Sequence, residues 1–286
     1  MVPELDRLGV RTPPEMDNAA GTTPDAIDRP VNWSEELEEF HEESTRSHPL
    51  ERLTRGAMIG HLDPLPDGAT IVEVGCSTGY LLEDLRDAHP TARLIGFDLI
   101  MSGLRKARRA MPDAVLAQAD ACQLPLPDAC ADAVVSVNLL EHVADDVGAL
   151  EQIRRVLRPG GTAVLVVPTA PGLYDYYDRF LHHERRYARG EMARKATRAG
   201  LAVEADLHLG FVVYPAFWVV KKRNRRRFDH LDGVELEDRV RRDYGGTDES
   251  FLFGAACRVE RTLLAHHARV PFGIRGLTVV RRPTTP

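Results

Sequence analysis

Two histidines sit where proton-transfer chemistry is plausible on residue type alone. His142 lies in Asn138-Leu139-Leu140-Glu141-His142, and His183 lies in Asp178-Arg179-Phe180-Leu181-His182-His183-Glu184-Arg185-Arg186-Tyr187. An unperturbed imidazole titrates near ~6.5, so it can take a proton at neutral pH. Tyr174, Tyr177, Arg185 and Arg186 flank His183 and could contact an acceptor, Arg by gripping an acidic group. Trp218 is a further candidate contact, in an apolar run from Phe211 to Val220. For each residue taken singly, a loop hydrogen bond or a salt bridge is the simpler role. No HExxH occurs, and the pairs His182-His183 and His266-His267 have no metal-ligand spacing, so no metal is expected.

A second group of residues has the types needed to hold a ligand. Thr70-Ile71-Val72-Glu73-Val74 is a short apolar run rich in β-branched residues, which reads as a buried strand. It breaks at Gly75-Cys76-Ser77-Thr78-Gly79, and helical spacing follows at Leu81, Leu82, Leu85 and Ala88. A strand, a glycine turn and a helix open many nucleotide-binding α/β units, because the turn lets a ligand approach backbone amides. Asp98 follows Gly75 by 23 positions and ends a second apolar run, Ala92 to Phe97. A carboxylate there can hold both hydroxyls of a ribose, or it can cap the helix that follows.

The elements that must position these residues can be read in order. A third strand ends at Asp120, and a fourth, Ala133 to Asn138, precedes His142. A helix with Leu150, Ile153, Val156 and Leu157 inward stops at Pro159-Gly160-Gly161, and a fifth strand spans Thr162 to Val167. Strands alternating with helices argue for a doubly wound parallel sheet. Ahead of it, residues 1–30 contain Pro3, Pro13, Pro14, Pro24 and Pro30 without apolar periodicity and read as a mobile arm. Residues 31–66 read as a helical cap, with one helix from Ser34 and another from Pro49 to about Leu62.

Bulk properties exclude several classes. The net charge of −6 argues against nucleic-acid binding by charge, and no apolar run approaches the ~20 residues that span a bilayer. Met1 to Gly9 carries Glu4, Asp6 and Arg7 and no apolar core, so no leader is expected. Cys76, Cys122, Cys130 and Cys257 form no CxxC pair or disulfide framework, which points to a reducing cytoplasm.

In these motifs and their order the chain resembles the class I S-adenosylmethionine (SAM)-dependent methyltransferases, in particular the small-molecule, type 11-like subgroup. The resemblance rests on Glu73-Val74-Gly75-Cys76-Ser77-Thr78-Gly79, Asp98, Asp120-Ala121 with Leu124-Pro125-Leu126-Pro127, Asn138 to His142, and Leu157-Arg158-Pro159-Gly160-Gly161. A dinucleotide dehydrogenase would explain only the first two.

The resemblance implies a seven-stranded, mostly parallel Rossmann-like sheet, with residues 67–209 as the cofactor-binding core. Strand six would run from Leu201 to Leu209, and strand seven, Leu277 to Arg281, would be antiparallel. Residues 210–275 would form a helical insertion or lid, and 276–286 the last strand and tail. It further implies that Glu73, Gly75, Cys76, Ser77, Gly79, Asp98, Leu99, Asp120, Ala121 and Asn138 bind SAM, which leaves as S-adenosylhomocysteine. Asp98 would take the ribose, Asp120 and Ala121 the adenine, and Glu73 with the glycine turn the methionine end. His183 matches the subgroup's histidine and becomes the first candidate base, with His142 second. Two positions depart from the family pattern: Ser77 and His182 stand where glycine is frequent.

The implied activity is cytoplasmic methyl transfer to a small-molecule or peptide acceptor, as in natural-product biosynthesis, at oxygen by preference. Carboxylate methylation with an Arg-oriented substrate is the alternative. A non-catalytic cofactor-binding module and an NAD-dependent oxidoreductase are the competing classes. Nucleic acid is disfavoured as a partner, because Asn138-Leu139-Leu140-Glu141 lacks the Pro-Pro-aromatic sequence of amino-directed base methylation. The basic run Lys221 to Arg227 reads best as a solvated loop after a packed helix. A substrate lid and a membrane-surface contact are less favoured readings of it.

Overall fold

Thr70–Val74 forms β1, and all five of its residues are buried. In this computed structural model, which describes residues 46–62, 64–244, 251–265 and 270–284, β1 lies in the middle of a seven-stranded sheet. The helix expected from Ser34 and the arm 1–30 lie outside the described residues. Pro49–Ile59 forms α1, opened by His48, whose Nδ1 accepts from the Leu50 amide.

Alternation along β1 dictates the layers. Val72 and Val74 face one apolar cluster, and Ile71 faces another on the opposite side. On the Ile71 side lie α2 (Tyr80–Ala88) and α3 (Met101–Ala110), through Leu82, Leu85 and Leu104. On the Val72 side lie α4 (Asp146–Val156) and α6 (Glu191–Arg198), through Leu150, Ile153, Met192 and Ala196. The sheet is therefore covered on both faces, as a parallel sheet requires.

The strand order is β3-β2-β1-β4-β5-β7-β6. Here β2 is Arg93–Asp98, β3 is Val115–Gln118, β4 is Ala131–Val137 and β5 is Leu157–Pro168. β6 is Ala202–Leu209, and β7, Arg275–Arg281, runs antiparallel to both of its neighbours. This is the expected doubly wound sheet with its reversed last strand. The chain winds outward from β1 to β3 and then restarts at β4 on the other side of β1. That reversal opens a crevice at the carboxyl ends of β1 and β4, the place where such sheets bind ligands.

β5 begins earlier than expected. Pro159-Gly160-Gly161 does not separate helix from strand, because Gly160 and Gly161 exchange backbone hydrogen bonds with Arg282 (2.8 and 2.9 Å). The tail after β7 thus extends the backbone pairing to Gly160, and the Arg282 side chain donates to the Leu157 carbonyl (2.6 Å).

Between β5 and β6 lies a short helix, α5 (Tyr176–Phe180), capped by Asp175 and Asp178. Between β6 and β7 lie α7 (Tyr214–Phe228), α8 (Gly233–Tyr244) and α9 (Phe251–Ala265). α8 packs on α5 through Tyr176, Phe180, Leu236 and Val240, and α9 packs on α1 through Leu50, Leu53 and Cys257. The basic run departs from its expected form: it is not a loop after a packed helix but the second half of α7. Lys221 is buried, whereas the preceding Trp218, Val219 and Val220 are 46–57 % exposed.

His182 has φ +52°, a left-handed conformation that accounts for the glycine frequent at this position. Left-handed backbone costs an L-residue ~1–2 kcal/mol, while glycine loses ~0.5–1 kcal/mol more on folding. His182→Gly is therefore expected to stabilise the fold by up to ~1 kcal/mol, read as a higher urea midpoint at constant slope. A lower midpoint would mean that the exposed imidazole makes a contact worth more than the backbone strain.

Candidate active site

The turn after β1 is held by its own amides. The Gly75 and Cys76 N–H groups both donate to the Phe97 carbonyl at 2.8 and 2.9 Å, fastening the turn to the end of β2. Gly75 and Gly79 have φ of +84° and +89°, and a side chain at Gly79 would bring Cβ within 3.0 Å of Ala107. Both positions need glycine. Ser77 also has positive φ, +45°. Its N–H donates to Asp98 Oδ2 (2.8 Å), while Asp98 Oδ1 accepts from Ile100 N–H (2.8 Å). Asp98 is thus both a ligand candidate and a clasp between two loops.

Asp120, just beyond β3, accepts from the Cys122 N–H through Oδ1 at 2.8 Å. Asn138, just beyond β4, sits at φ +50°. A cavity of about 700 Å³ opens between these strand ends. Its wall includes Glu73, Gly75, Cys76, Ser77, Asp98, Leu99, Asp120, Ala121 and Asn138. Gly79 is not in the wall and serves instead as N-cap of α2.

The far end of the same cavity carries His142, Tyr177, His183 and Arg186. The His142 and His183 rings meet edge to face with centroids 4.7 Å apart. Asp178, at the end of a capping box, brings three groups together. His183 Nδ1 lies 2.9 Å and Arg186 Nε 2.6 Å from its Oδ1, and Lys221 Nζ is 3.2 Å from Oδ2. Lys221 also donates to Asp175 Oδ1 at 2.5 Å.

Three expected acceptor contacts lie elsewhere. Tyr174 donates its hydroxyl to the His183 carbonyl (2.7 Å) and supports that loop from behind. Arg185 is taken by Asp146 Oδ2 (2.9 Å), because Asp146 is buried under α6 and collects Lys195 and Tyr187 as well. Trp218 is 46 % exposed on α7 and is not in the cavity wall, to which α7 contributes Phe217 and Lys221 instead.

Residues 72–165 match the family described as "Methyltransferase domain". The chain is 31% identical over 144 residues to a probable S-adenosylmethionine-dependent methyltransferase of Mycolicibacterium smegmatis, covering 49% of this chain and 54% of that one. The matches and the fold together support a class I S-adenosylmethionine-dependent methyltransferase domain over residues 72–165. The chain is also 32% identical over 136 residues to the trans-aconitate 2-methyltransferase of Azoarcus sp., covering 48% of this chain and 51% of that one. The chain thus spans about half the length of these curated relatives. Its fold superposes on geranyl diphosphate methyltransferase solved with SAM at a TM-score of 0.56 and 16% identity, covering 87% of this chain and 90% of that one.

Electrostatics differ between the two ends of the methyltransferase cavity. At the glycine turn, burial raises the Glu73 carboxyl well above its ordinary range, with Asp98 adding and Arg55 opposing. Glu73 Oε2 has no hydrogen-bond partner. A buried, unpartnered acceptor beside a glycine turn and an acid at a strand tip is the donor–acceptor complement of an amino-acid end and a ribose. The residues present therefore fit SAM.

At the histidine end, burial favours neutral Asp178, but the His183 hydrogen bond and the Arg186 and Lys221 charges outweigh it. Together they hold the Asp178 carboxyl well below the usual carboxylate range. Burial lowers the His183 imidazole below its ordinary value, against the pull of Asp178. An ionised Asp178 can only accept, so Nδ1–H donates to it, which leaves neutral His183 with its lone pair on Nε2. Glu141 is fully buried in the 3-10 turn after β4, and burial raises its carboxyl to about 8 against the nearby charge of Arg275.

The sequence reading overlooked Glu141, Asp175 and Lys221. Glu141 sits beside a quoted histidine, yet a carboxylate in a polar turn reads as exposed. Only the crossing of α5, α7 and the β4 loop encloses these groups.

Proposed function

We propose that this chain transfers the methyl group of SAM to a hydroxyl of a small-molecule or peptide acceptor, with His183 taking the proton. The observation that carries the hydroxyl acceptor is the Asp178–His183 pair at 2.9 Å in the cavity wall, where burial favours the neutral imidazole. Bound SAM supplies a sulfonium-activated methyl group, so the chain itself needs to hold, orient and deprotonate. Asp98 would receive the ribose hydroxyls, Asp120 and the Ala121 amide the adenine, and Glu73 with the turn amides the methionine end. Asn138 would lie beside the methionine end. Aligning acceptor and donor is worth ~7–11 kcal/mol in intramolecular comparisons, and a positioned base adds ~10²–10⁴-fold.

Methylation of a carboxylate is the second reading, supported by the relative named for trans-aconitate and by Arg186 in the wall. It is the weaker one. Arg186 already pairs with Asp178, and Lys221 with Asp175, so neither offers a free clamp. Screening metabolites and peptides with methyl-labelled SAM, followed by hydrolysis of the product, separates the two. An ester label released by mild base would favour the carboxylate, and SAM binding without transfer to any acceptor would favour a non-catalytic module.

Asp98→Ala tests the cofactor site. Two ribose hydroxyls would lose a charged acceptor worth ~1.5–3 kcal/mol, so SAM affinity is expected to fall ~10- to 150-fold by calorimetry. The Ser77 and Ile100 amides would lose their acceptor too, so Asp98→Asn should fall in between. Unchanged affinity in both variants would remove Asp98 from the ribose site.

A further inference from the structure

Glu141, His142 and His183 bring one carboxylate oxygen and two imidazole nitrogens within 4.8 Å of one another at the histidine end of the cavity. We infer that these three side chains form a binding site for a divalent transition-metal ion of the zinc class, with open positions for an oxygen of the acceptor. The inference concerns metal binding itself and stands whichever group the domain methylates.

The donor set is the first argument. Two imidazoles and one carboxylate are a recurrent ligand set for zinc and for non-haem iron, and three protein ligands leave room for an exogenous oxygen. Bonds of ~2.0–2.2 Å place the donors of a tetrahedral site ~3.3–3.6 Å apart, so the cluster must contract by about 1 Å. The two rings already meet edge to face.

The second argument is independent of spacing. Glu141 is 0 % exposed, and neither of its carboxylate oxygens has a hydrogen-bond partner. A buried carboxylate without a partner is costly, and coordination to a cation would relieve that cost. The cations nearby do not serve this purpose. Arg186 is bound to Asp178, Lys221 to Asp175, and Arg275 to Glu51.

The third argument is the support behind His183. Its Nδ1 faces Asp178 at 2.9 Å, which fixes the tautomer that exposes the Nε2 lone pair. A carboxylate behind the imidazole is the usual support of a metal-bound histidine. With an ion in place, Nε2 is a ligand rather than a base. An acceptor hydroxyl bound to the ion is acidified by its charge. The proton-accepting role of Nε2 then belongs to the ion-free protein.

Cobalt binding provides the test. The full chain, stripped with chelator, is titrated with Co²⁺ while visible absorption is followed, and Zn²⁺ is then added in competition. The expected result is one Co²⁺ per chain, with d–d bands of a four- or five-coordinate site that Zn²⁺ bleaches. Glu141→Gln and His142→Ala should each weaken binding at least ~10- to 100-fold, and His89→Ala, at the C-cap of α2 and outside the cavity wall, should leave it unchanged. Glu141→Gln keeps the shape and replaces the buried carboxyl with a neutral amide, so it should fold. Its melting temperature should equal or exceed that of the stripped wild type and should no longer rise with Zn²⁺. Absence of the bands would overturn the inference, as would a Co²⁺ affinity that both ligand variants leave intact. SAM affinity measured on the same samples reports separately on the cofactor site.

Discussion

Replacing His183 by alanine is expected to slow methyl transfer by ~10²–10⁴-fold while leaving SAM affinity within a factor of about three. The reason is positional. His183 belongs to the part of the cavity wall supplied by the loop after α5, apart from the residues expected to hold SAM, and its Nδ1 side is committed to Asp178. The pH dependence follows from its environment. Burial lowers the imidazole below its ordinary value of ~6.5, and the reactive form is the neutral one. The rate should therefore rise with pH on a limb below ~6.5 and be flat from pH 7 to 8, and the alanine variant should lose that limb. If the acceptor is a carboxylate, no such limb exists above pH ~5, and the variant should be nearly as fast as wild type. Measuring both enzymes after chelator treatment, with and without added Zn²⁺, separates His183 as base from His183 as ligand. A base gives a limb in the stripped enzyme, whereas a ligand gives activity that returns only with the ion. An alanine variant unimpaired under both conditions would sink the assignment of His183 to the reaction.

What the sequence made legible was local. β1 to α2 could be read because a β-branched run, a glycine turn and a helical stripe are contiguous, and each reports on its own backbone. Asp98 and Asp120 could be read because they end apolar runs, and a strand end in a doubly wound sheet faces the crevice. Ser77 and His182 carried a signal of another kind. Both stand where the family favours glycine, and both have left-handed φ, so the departures marked backbone constraints rather than lost function.

The histidine end was not legible, for physical reasons. Glu141 and His183 are 42 positions apart, and no periodicity links a turn after β4 to a loop after α5. The burial of charge on α7 was hidden as well. Six basic residues in the seven from Lys221 to Arg227 look like a solvated stretch, and for the exposed Arg223, Arg225, Arg226 and Arg227 that is correct. Only the two carboxylates of Asp175 and Asp178, brought under α7 by α5, distinguish Lys221 from its neighbours. Nothing in a one-dimensional charge pattern says which member of a basic run faces inward.

That burial sets the expected result for Lys221→Met, a loss of ~3–5 kcal/mol of stability near neutral pH. Lys221 is 6 % exposed, and its ammonium lies between Asp175 and Asp178. Methionine fills a similar volume, so the loss would be electrostatic. Asp178 keeps Arg186 and His183 after the substitution, whereas Asp175 keeps only the neutral backbone amides of Tyr177 and Asp178 that it caps. Asp175 is thus the charge left uncompensated. Burial already raises its carboxyl above the ordinary value, and without Lys221 it should rise further. A carboxyl whose folded pKa lies above its unfolded ~3.9 favours the folded state in acid, and this advantage is lost as pH rises through the folded value. The gap between wild type and Lys221→Met should therefore be small near pH 4 and widen towards pH 8, as read from urea unfolding at both. Adding Asp175→Asn, which removes the stranded charge and keeps a capping side chain, should recover at least half of the loss at pH 8. A gap that does not change with pH, or a double variant no more stable than the single one, would mean that Lys221 contributes by packing rather than by neutralising Asp175.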